Sequence, residues 1–269
     1  QDNTAPGPLE MDGLPMPRRI WAICAISFGT ALFVVDGAIA NVALPTIARD
    51  LSVSNGAVTS VVTVYQLVMV MVLLPFATIG DRIGHRRLYQ IGQVIFFLAS
   101  AAALLIDSFW HLIAVRVLQS FGAGIALAVS AAMLRTIYPA KSLGSGLGIN
   151  SVIVATSYAV APTLGGFIVE HLDWRWVFVA AAPLALISLA IGRFLPEPEP
   201  RSGRVDTISG LWSALTALLL IGGLTLATHD MIVPGLAAIV AGVISAFLLT
   251  RRENGKERPI LPVDLMRRP

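Results

Sequence analysis

Eight apolar stretches, each of bilayer-spanning length, lie near residues 20–44, 57–79, 88–106, 110–137, 147–169, 176–195, 208–228 and 231–250. The hydrocarbon core of a bilayer is about 30 Å thick, and a helix needs about 20 apolar residues to cross it. These runs are too long for strands and show no strict apolar–polar alternation, which excludes a β-barrel. In hydrocarbon each backbone N–H and C=O must be satisfied internally, so every run is expected to be a helix. Charged residues make up 13% of the 269 residues and apolar residues 56%, whereas a soluble domain carries about 25% charge. The fold expected is an all-α membrane protein with eight transmembrane helices.

The charged residues set the order and the orientation. Of the 19 Lys and Arg residues, only Arg49 and Arg175 fall on one side of the expected bundle, and Arg116 falls within the fourth span. The others gather on the opposite side, at Arg18 and Arg19, between spans 2 and 3, 4 and 5, 6 and 7, and after span 8. The positive-inside bias makes that side cytoplasmic, together with both termini. The polar stretch 1–19, opening "QDNTAPGPLE", reads as a trimmed tail or an expression remnant, with Met11 or Met16 as a natural start. It is set aside from the bundle. Residues 20–195 form six spans. A Pro- and charge-rich linker, 196–207, joins them to an extra pair, 208–250, and a basic tail, 251–269. The single cysteine, Cys24, excludes an internal disulfide and reads as an inert buried thiol. A net charge of +3 carries no nucleic-acid footprint.

Two charges lie inside spans: Asp36 in "ALFVVDGAIANVALP" (31–45) and Arg116 in the fourth span. A charge at mid-bilayer costs about 2.5–3.5 kcal/mol on insertion scales. Asp36 precedes Pro45, read as the outer end of the first span, by nine residues, and Arg116 follows Trp110 by six. At about 1.5 Å per residue, both lie roughly 10–14 Å below the outer surface. At similar depth they can pair, if the first and fourth spans are neighbours. One reading is a static structural ion pair. The other is a proton carrier. Desolvation disfavours the charged carboxylate and a guanidinium favours it, so an acid held between the two can load and release a proton. Asn41, five residues on, reads equally as a packing residue and as a cavity residue.

Three further constellations accompany the pair. "ATIGDRIGHRR" (77–87) places Asp81 and Arg82 at the end of the second span, Gly84 in a tight reversal, and Arg86 and Arg87 at the start of the third. A basic turn obeying the positive-inside bias accounts for the arginines but not for Asp81. "RVLQSFGAGIA" (116–126) puts Gln119 on the Arg116 face and supplies Gly122, Gly124 and Ala126 for close helix approach. "SYAVAPTLGGF" (157–167) repeats Ser157, Ala161 and Gly165 every four residues, with Gly166 adjacent and Pro162 expected to bend the helix. Tyr65, Gln66, Gln119, Asn150 and Tyr158 are candidate cavity residues by polarity within apolar helices, where core packing is the competing reading.

In this order and spacing, the motifs resemble the major facilitator superfamily, and more narrowly its fourteen-helix drug:proton antiporter branch. "VDGAIANVALP" resembles the branch's first-span signature, "GDRIGHRR" the superfamily's loop signature, "RVLQSFGAG" the Arg-containing signature and "APTLGG" the antiporter signature. "DWRWVF" and Pro183 resemble the entry to the sixth span. The departures are small. Ala38 stands for Thr, Ala77 for Gly, His85 for Arg, Ser120 for Gly, and Ser157 and Ala161 for two glycines; the last two imply a slightly looser fifth-span interface.

The resemblance implies two six-helix halves around a central cavity, with the extra pair between them. Helices 1–6 are then the N-terminal half, and the C-terminal half of the same transporter is missing from this chain. It further implies proton-coupled export of lipophilic, cationic compounds across a bacterial inner membrane. Asp36 and Arg116 would couple the proton, Asp81, Arg82, Gly84, Arg86 and Arg87 would form the cytoplasmic gate, and Ser157, Ala161, Pro162, Gly165 and Gly166 the antiporter helix. The partners implied are the lipid bilayer, a small lipophilic substrate and the missing half, with no nucleic acid. No cofactor and no metal is implied, the proton being the coupling ion. Export of a metabolite or lipid-like anion, and a non-transporting membrane interaction module, are the alternatives. No enzyme is expected. His85, His111, His171 and His229 lack metal-ligand spacing, and "GSGLG" (144–148) follows no strand, as a phosphate loop would.

Overall fold

The computed structural model describes residues 13–197, 207–228 and 231–253. The opening polar stretch before Gly13, most of the linker and the basic tail after Glu253 lie outside the described residues. Nine α-helices are described: α1 (Arg18–Asp50), α2 (Asn55–Ile83), α3 (His85–Ala102), α4 (Phe109–Ile137), α5 (Leu143–His171), α6 (Trp176–Val179), α7 (Ala182–Ile191), α8 (Thr207–Thr228) and α9 (Ile232–Glu253). No strand occurs among the described residues. With α6 and α7 as one span, eight segments are long and apolar enough to cross a membrane, at the eight places that hydropathy marks.

Local chemistry accounts for the ends. The Ser54 hydroxyl accepts from the Ala57 N–H at 3.1 Å, and that of Ser108 from the His111 N–H at 3.3 Å, so each caps orphan donors in a first turn. Gly84 ends α2 at φ +105°, a conformation that a Cβ resists. The sixth span divides just before Pro183, whose missing N–H removes one helical bond. The first span departs from expectation: Pro45 lies inside α1, which continues to Asp50. A proline near an exposed helix end forfeits one hydrogen bond and leaves the rest of the ladder intact. Cys24 is half-buried rather than fully enclosed.

α1 packs on α5 and α7, α4 on α2 and α3, and α3 on α7. Small residues set these approaches. A Cβ at Gly122 of α4 would lie 2.6 Å from the Gly92 carbonyl oxygen of α3. One at Gly165 of α5 would lie 3.2 Å from the Ile39 carbonyl oxygen of α1. Ala161 and Ser157, one and two turns earlier on α5, are also buried. The polar stretch merges with the bundle from Gly13 onward: the Leu14 N–H donates to the Ile137 carbonyl at 3.1 Å. α8 and α9 form a close hairpin, and α8 rests on α2 with Gly210 against Pro75.

The core falls into two apolar clusters. One joins residues such as Leu32, Tyr89, Phe96 and Met133 towards the arginine-rich end. The other joins Ile39, Ile47, Leu112 and Phe178 towards the opposite end. At that opposite end, the Trp174 indole N–H donates to Asp50 Oδ2 at 2.7 Å, and Arg175 reaches Asp173 at 3.0 Å and the Ile106 carbonyl at 2.6 Å. Asp107 nearby is held below the usual carboxylate range by a hydrogen bond with His111. Trp174→Phe removes one hydrogen bond to a carboxylate that is half in water. It is expected to cost about 1 kcal/mol, below the range for charged partners in full burial. Thermal unfolding in detergent, with Asp50→Asn beside it as a variant that keeps an acceptor, measures this.

Candidate functional site

Asp36 on α1 and Arg116 on α4 sit at the seam between the two apolar clusters, each with 0% exposure. Arg116 Nη1 donates to Asp36 Oδ2 at 2.9 Å and to Gln119 Oε1 at 3.0 Å. The Gln119 amide then donates to Ser100 Oγ on α3 and to the Phe178 carbonyl on α6, both at 2.9 Å. The guanidinium carbon lies 4.0 Å from the centre of the Tyr65 ring of α2 and 5.2 Å from that of Phe178. Ser120 Oγ donates to the Tyr65 carbonyl, tying α4 to α2 at this level. Five spans thus converge on one charge pair.

The network is incomplete. Asp36 Oδ1, Arg116 Nε and Nη2 and the Tyr65 hydroxyl have no hydrogen-bond partner among the described residues. The Tyr65 hydroxyl lies within electrostatic reach of the Asp36 carboxylate without a hydrogen bond of standard geometry. Polar atoms this deeply buried are normally paired. A structural ion pair approaches stability only when its remaining lone pairs and protons are satisfied as well. The arrangement therefore leaves capacity for a proton or a new partner at both ends of the pair.

Immediately beside it, a cavity of about 470 Å³ opens between α1, α2, α4 and α5. Its volume falls in the range of small-molecule sites. Phe33, Tyr65 and Tyr158 give it aromatic walls, and Thr30, Gln66, Ser130 and Asn150 give it neutral polar groups. Thr30 donates to Asn150 Oδ1 at 3.1 Å, linking α1 to α5 across it. No charged side chain lines it among the described residues.

Of the residues chosen from sequence for a cavity, Tyr65, Gln66, Asn150 and Tyr158 are on this wall. Asn41 and Gln119 are elsewhere. Asn41 is exposed and donates to the Ala38 carbonyl of its own helix at 3.2 Å. Gln119 is wholly buried as the brace of Arg116. Phe33, Thr30 and Ser130 were not legible as cavity residues, and Ser100 and Phe178 not as supports of the pair, because single polar or aromatic residues on apolar helices carry no signal of direction.

At the arginine-rich end, Asp81 pairs with His85 Nε2 at 3.2 Å. Arg82 is exposed, and Arg87 meets Glu197 Oε1 at 3.2 Å, with Arg86 at 3.9 Å from the other oxygen. Glu197 is the residue missed there; it lies in the stretch read as linker, yet it is docked on the turn at Gly84. On α5, Pro162 is exposed, Gly165 faces α1, and a Cβ at Gly166 would meet nothing within 4 Å.

The uncharacterized transporter YebQ of Escherichia coli (strain K12) is 42% identical over 265 residues, covering 97% of this chain and 58% of the relative. The multidrug efflux pump LfrA of Mycolicibacterium smegmatis is 30% identical, covering 93% of this chain and 51% of the pump. The chain therefore spans about half the length of the curated relatives it matches. A solved D-xylose–proton symporter superposes on 84% of this chain and 66% of its own, with a TM-score of 0.56 at 16% identity, a likeness of fold. The sequence profile of the Major Facilitator Superfamily matches residues 26–250, and this chain belongs to that superfamily of membrane transporters.

Proposed function

We propose that the protein takes part in proton-coupled export of lipophilic, cationic compounds, with the proton as coupling ion and no cofactor. The observation that carries this reading is the position of Asp36: ion-paired with Arg116 at 2.9 Å, wholly buried, and one residue from Gly37 on the cavity wall. A carboxylate there exchanges one positive partner for another. A proton or a cationic substrate takes the place of the guanidinium, and the unpaired Oδ1 is the atom open to it. Aromatic walls favour such a cation. Kinship with the mycobacterial efflux pump supports the same direction.

The charge asymmetry supports an orientation with both termini in the cytoplasm of a bacterial cell, in its inner membrane. In that orientation Asp81, Arg82, Gly84, Arg86 and Arg87 belong to a cytoplasmic gate, and a second six-helix half of the transporter is the partner against which this bundle rocks. The neutral polar wall at Gln66, Asn150, Thr30 and Ser130 favours a second reading, export of an uncharged metabolite.

Asp36→Asn tests the main reading. In everted vesicles energised by a proton gradient, export of the fluorescent cation ethidium is expected to fall to background, and ethidium binding to weaken and lose its pH dependence. Gradient-driven export that continues at the unaltered rate removes Asp36 from coupling.

A further inference from the structure

Among the described residues, Tyr65 is the one that belongs both to the cavity and to the charge pair. Its side chain lines the cavity. Its ring centre lies 4.0 Å from the Arg116 guanidinium carbon. Its hydroxyl is buried and lies beside the Asp36 carboxylate, short of a hydrogen bond of standard geometry. Its backbone, by contrast, is tied down, since the Ser120 hydroxyl donates to its carbonyl. The side chain therefore hangs from a fixed point between two partners that the proposed function requires to communicate.

Arg116 rests against that ring, the nearer of two, with the Phe178 ring centre at 5.2 Å. In its own plane the guanidinium is anchored through Nη1 alone, which serves both Asp36 and Gln119, while Nε and Nη2 are unpartnered among the described residues. A cation over an aromatic face is held by the ring quadrupole, most strongly where both are out of water. Room for the ring to turn comes from Gly37, next to Asp36. A Cβ there would stand 3.7 Å from Tyr65 Cε1, and glycine leaves that side open to the cavity.

We propose that Tyr65 is the positioning residue that transmits occupancy of the cavity to the Asp36–Arg116 pair: a ligand entering the cavity turns the ring, the guanidinium loses its seat, and the proton affinity of Asp36 changes. This rests on the coupling role of Asp36 given above. The titratable or charged groups facing the pair are Tyr65 from α2 and Arg116 from α4, with Tyr158 of α5 acting on Tyr65. α3 and α6 bring the neutral Ser100 and Phe178.

The test follows the Asp36 carboxyl by infrared spectroscopy, its band being the one absent from Asp36→Asn. The probe is tetraphenylphosphonium, with its binding measured in parallel. In the unaltered protein, saturating probe is expected to move the pH midpoint of that band by about one unit, a tenfold change in proton affinity. Tyr65→Leu is expected to bind probe and lose the shift, and Tyr65→Phe, which keeps the ring, to retain it. Gly37→Ala adds an ordinary van der Waals contact that pins the ring without crowding the helix. It is expected to shrink the shift, and it serves where Tyr65→Leu fails to fold. A full shift in both Tyr65→Leu and Gly37→Ala overturns the proposal, as does its loss in Tyr65→Phe. A band that ignores the probe in the unaltered protein overturns the coupling role itself, and the role of Tyr65 with it.

Discussion

Arg116→Met is expected to destabilise the bundle by about 3–5 kcal/mol, the cost of leaving one member of a buried ion pair without its partner. Methionine fills the space of the arginine stem, so cavity formation contributes little. The loss is electrostatic. Among the described residues Asp36 keeps no cation within reach and Gln119 Oε1 loses its donor, and both side chains are fully buried. The double variant Asp36→Asn/Arg116→Met removes the stranded charge and is expected to recover most of that stability, since apolar or neutral replacements of buried pairs are often near neutral. Neither variant is expected to couple export to a proton gradient. Thermal unfolding in detergent, paired with ethidium export in everted vesicles, separates the two effects. Equal stability of the single and double variants would mean that Asp36 carries no charge at rest. A double variant that still coupled export would reduce the pair to scaffolding.

The contrast between these outcomes rests on what sequence alone exposes. Membrane spans were legible because hydrocarbon leaves the backbone no alternative to helix over runs of this length. The pairing of Asp36 with Arg116 was legible because two isolated opposite charges at similar depth have few other partners. Depth was less secure, since α1 runs past Pro45 to Asp50. Rotation about the helix axis was not legible. Asn41 is polar and close to Asp36 in sequence, yet five residues at about 100° each carry it roughly 140° around α1, away from the site. Gln119 shares the Arg116 face as its spacing implies, but that face is turned into the core rather than the cavity. Glu197 was hidden by its setting among prolines, where an acidic residue reads as solvated chain. Ser120 illustrates the converse. It departs from the glycine of the resembled signature, and its hydroxyl holds the Tyr65 carbonyl, a contact no glycine makes.

Gly122→Val is expected to be the most damaging single change outside the charge pair. A Cβ at this position would lie 2.6 Å from the Gly92 carbonyl oxygen and 2.6 Å from the Phe96 amide nitrogen. Both obstacles are backbone, so no rotamer change relieves them, and α3 and α4 must separate. α4 has no room to retreat, because a Cβ at Gly124 would meet the Met69 carbonyl oxygen of α2 at 3.2 Å. The expected cost is at or above the upper end of the ~1–3 kcal/mol seen for overpacked cores. Gly166→Ala and Gly148→Ala, where an added Cβ meets nothing within 4 Å and alanine favours the helix, are expected to leave the unfolding midpoint unchanged or slightly raised. Gly122 lies six residues from Arg116 on the same helix, about 9 Å along its axis. Any shift of α4 that accommodates valine therefore also draws the guanidinium from Asp36, so a folded remnant of the variant should have lost proton coupling as well as stability. A Gly122→Val protein that melts with Gly166→Ala would show that α3 and α4 do not meet as closely as Gly92 and Gly122 require.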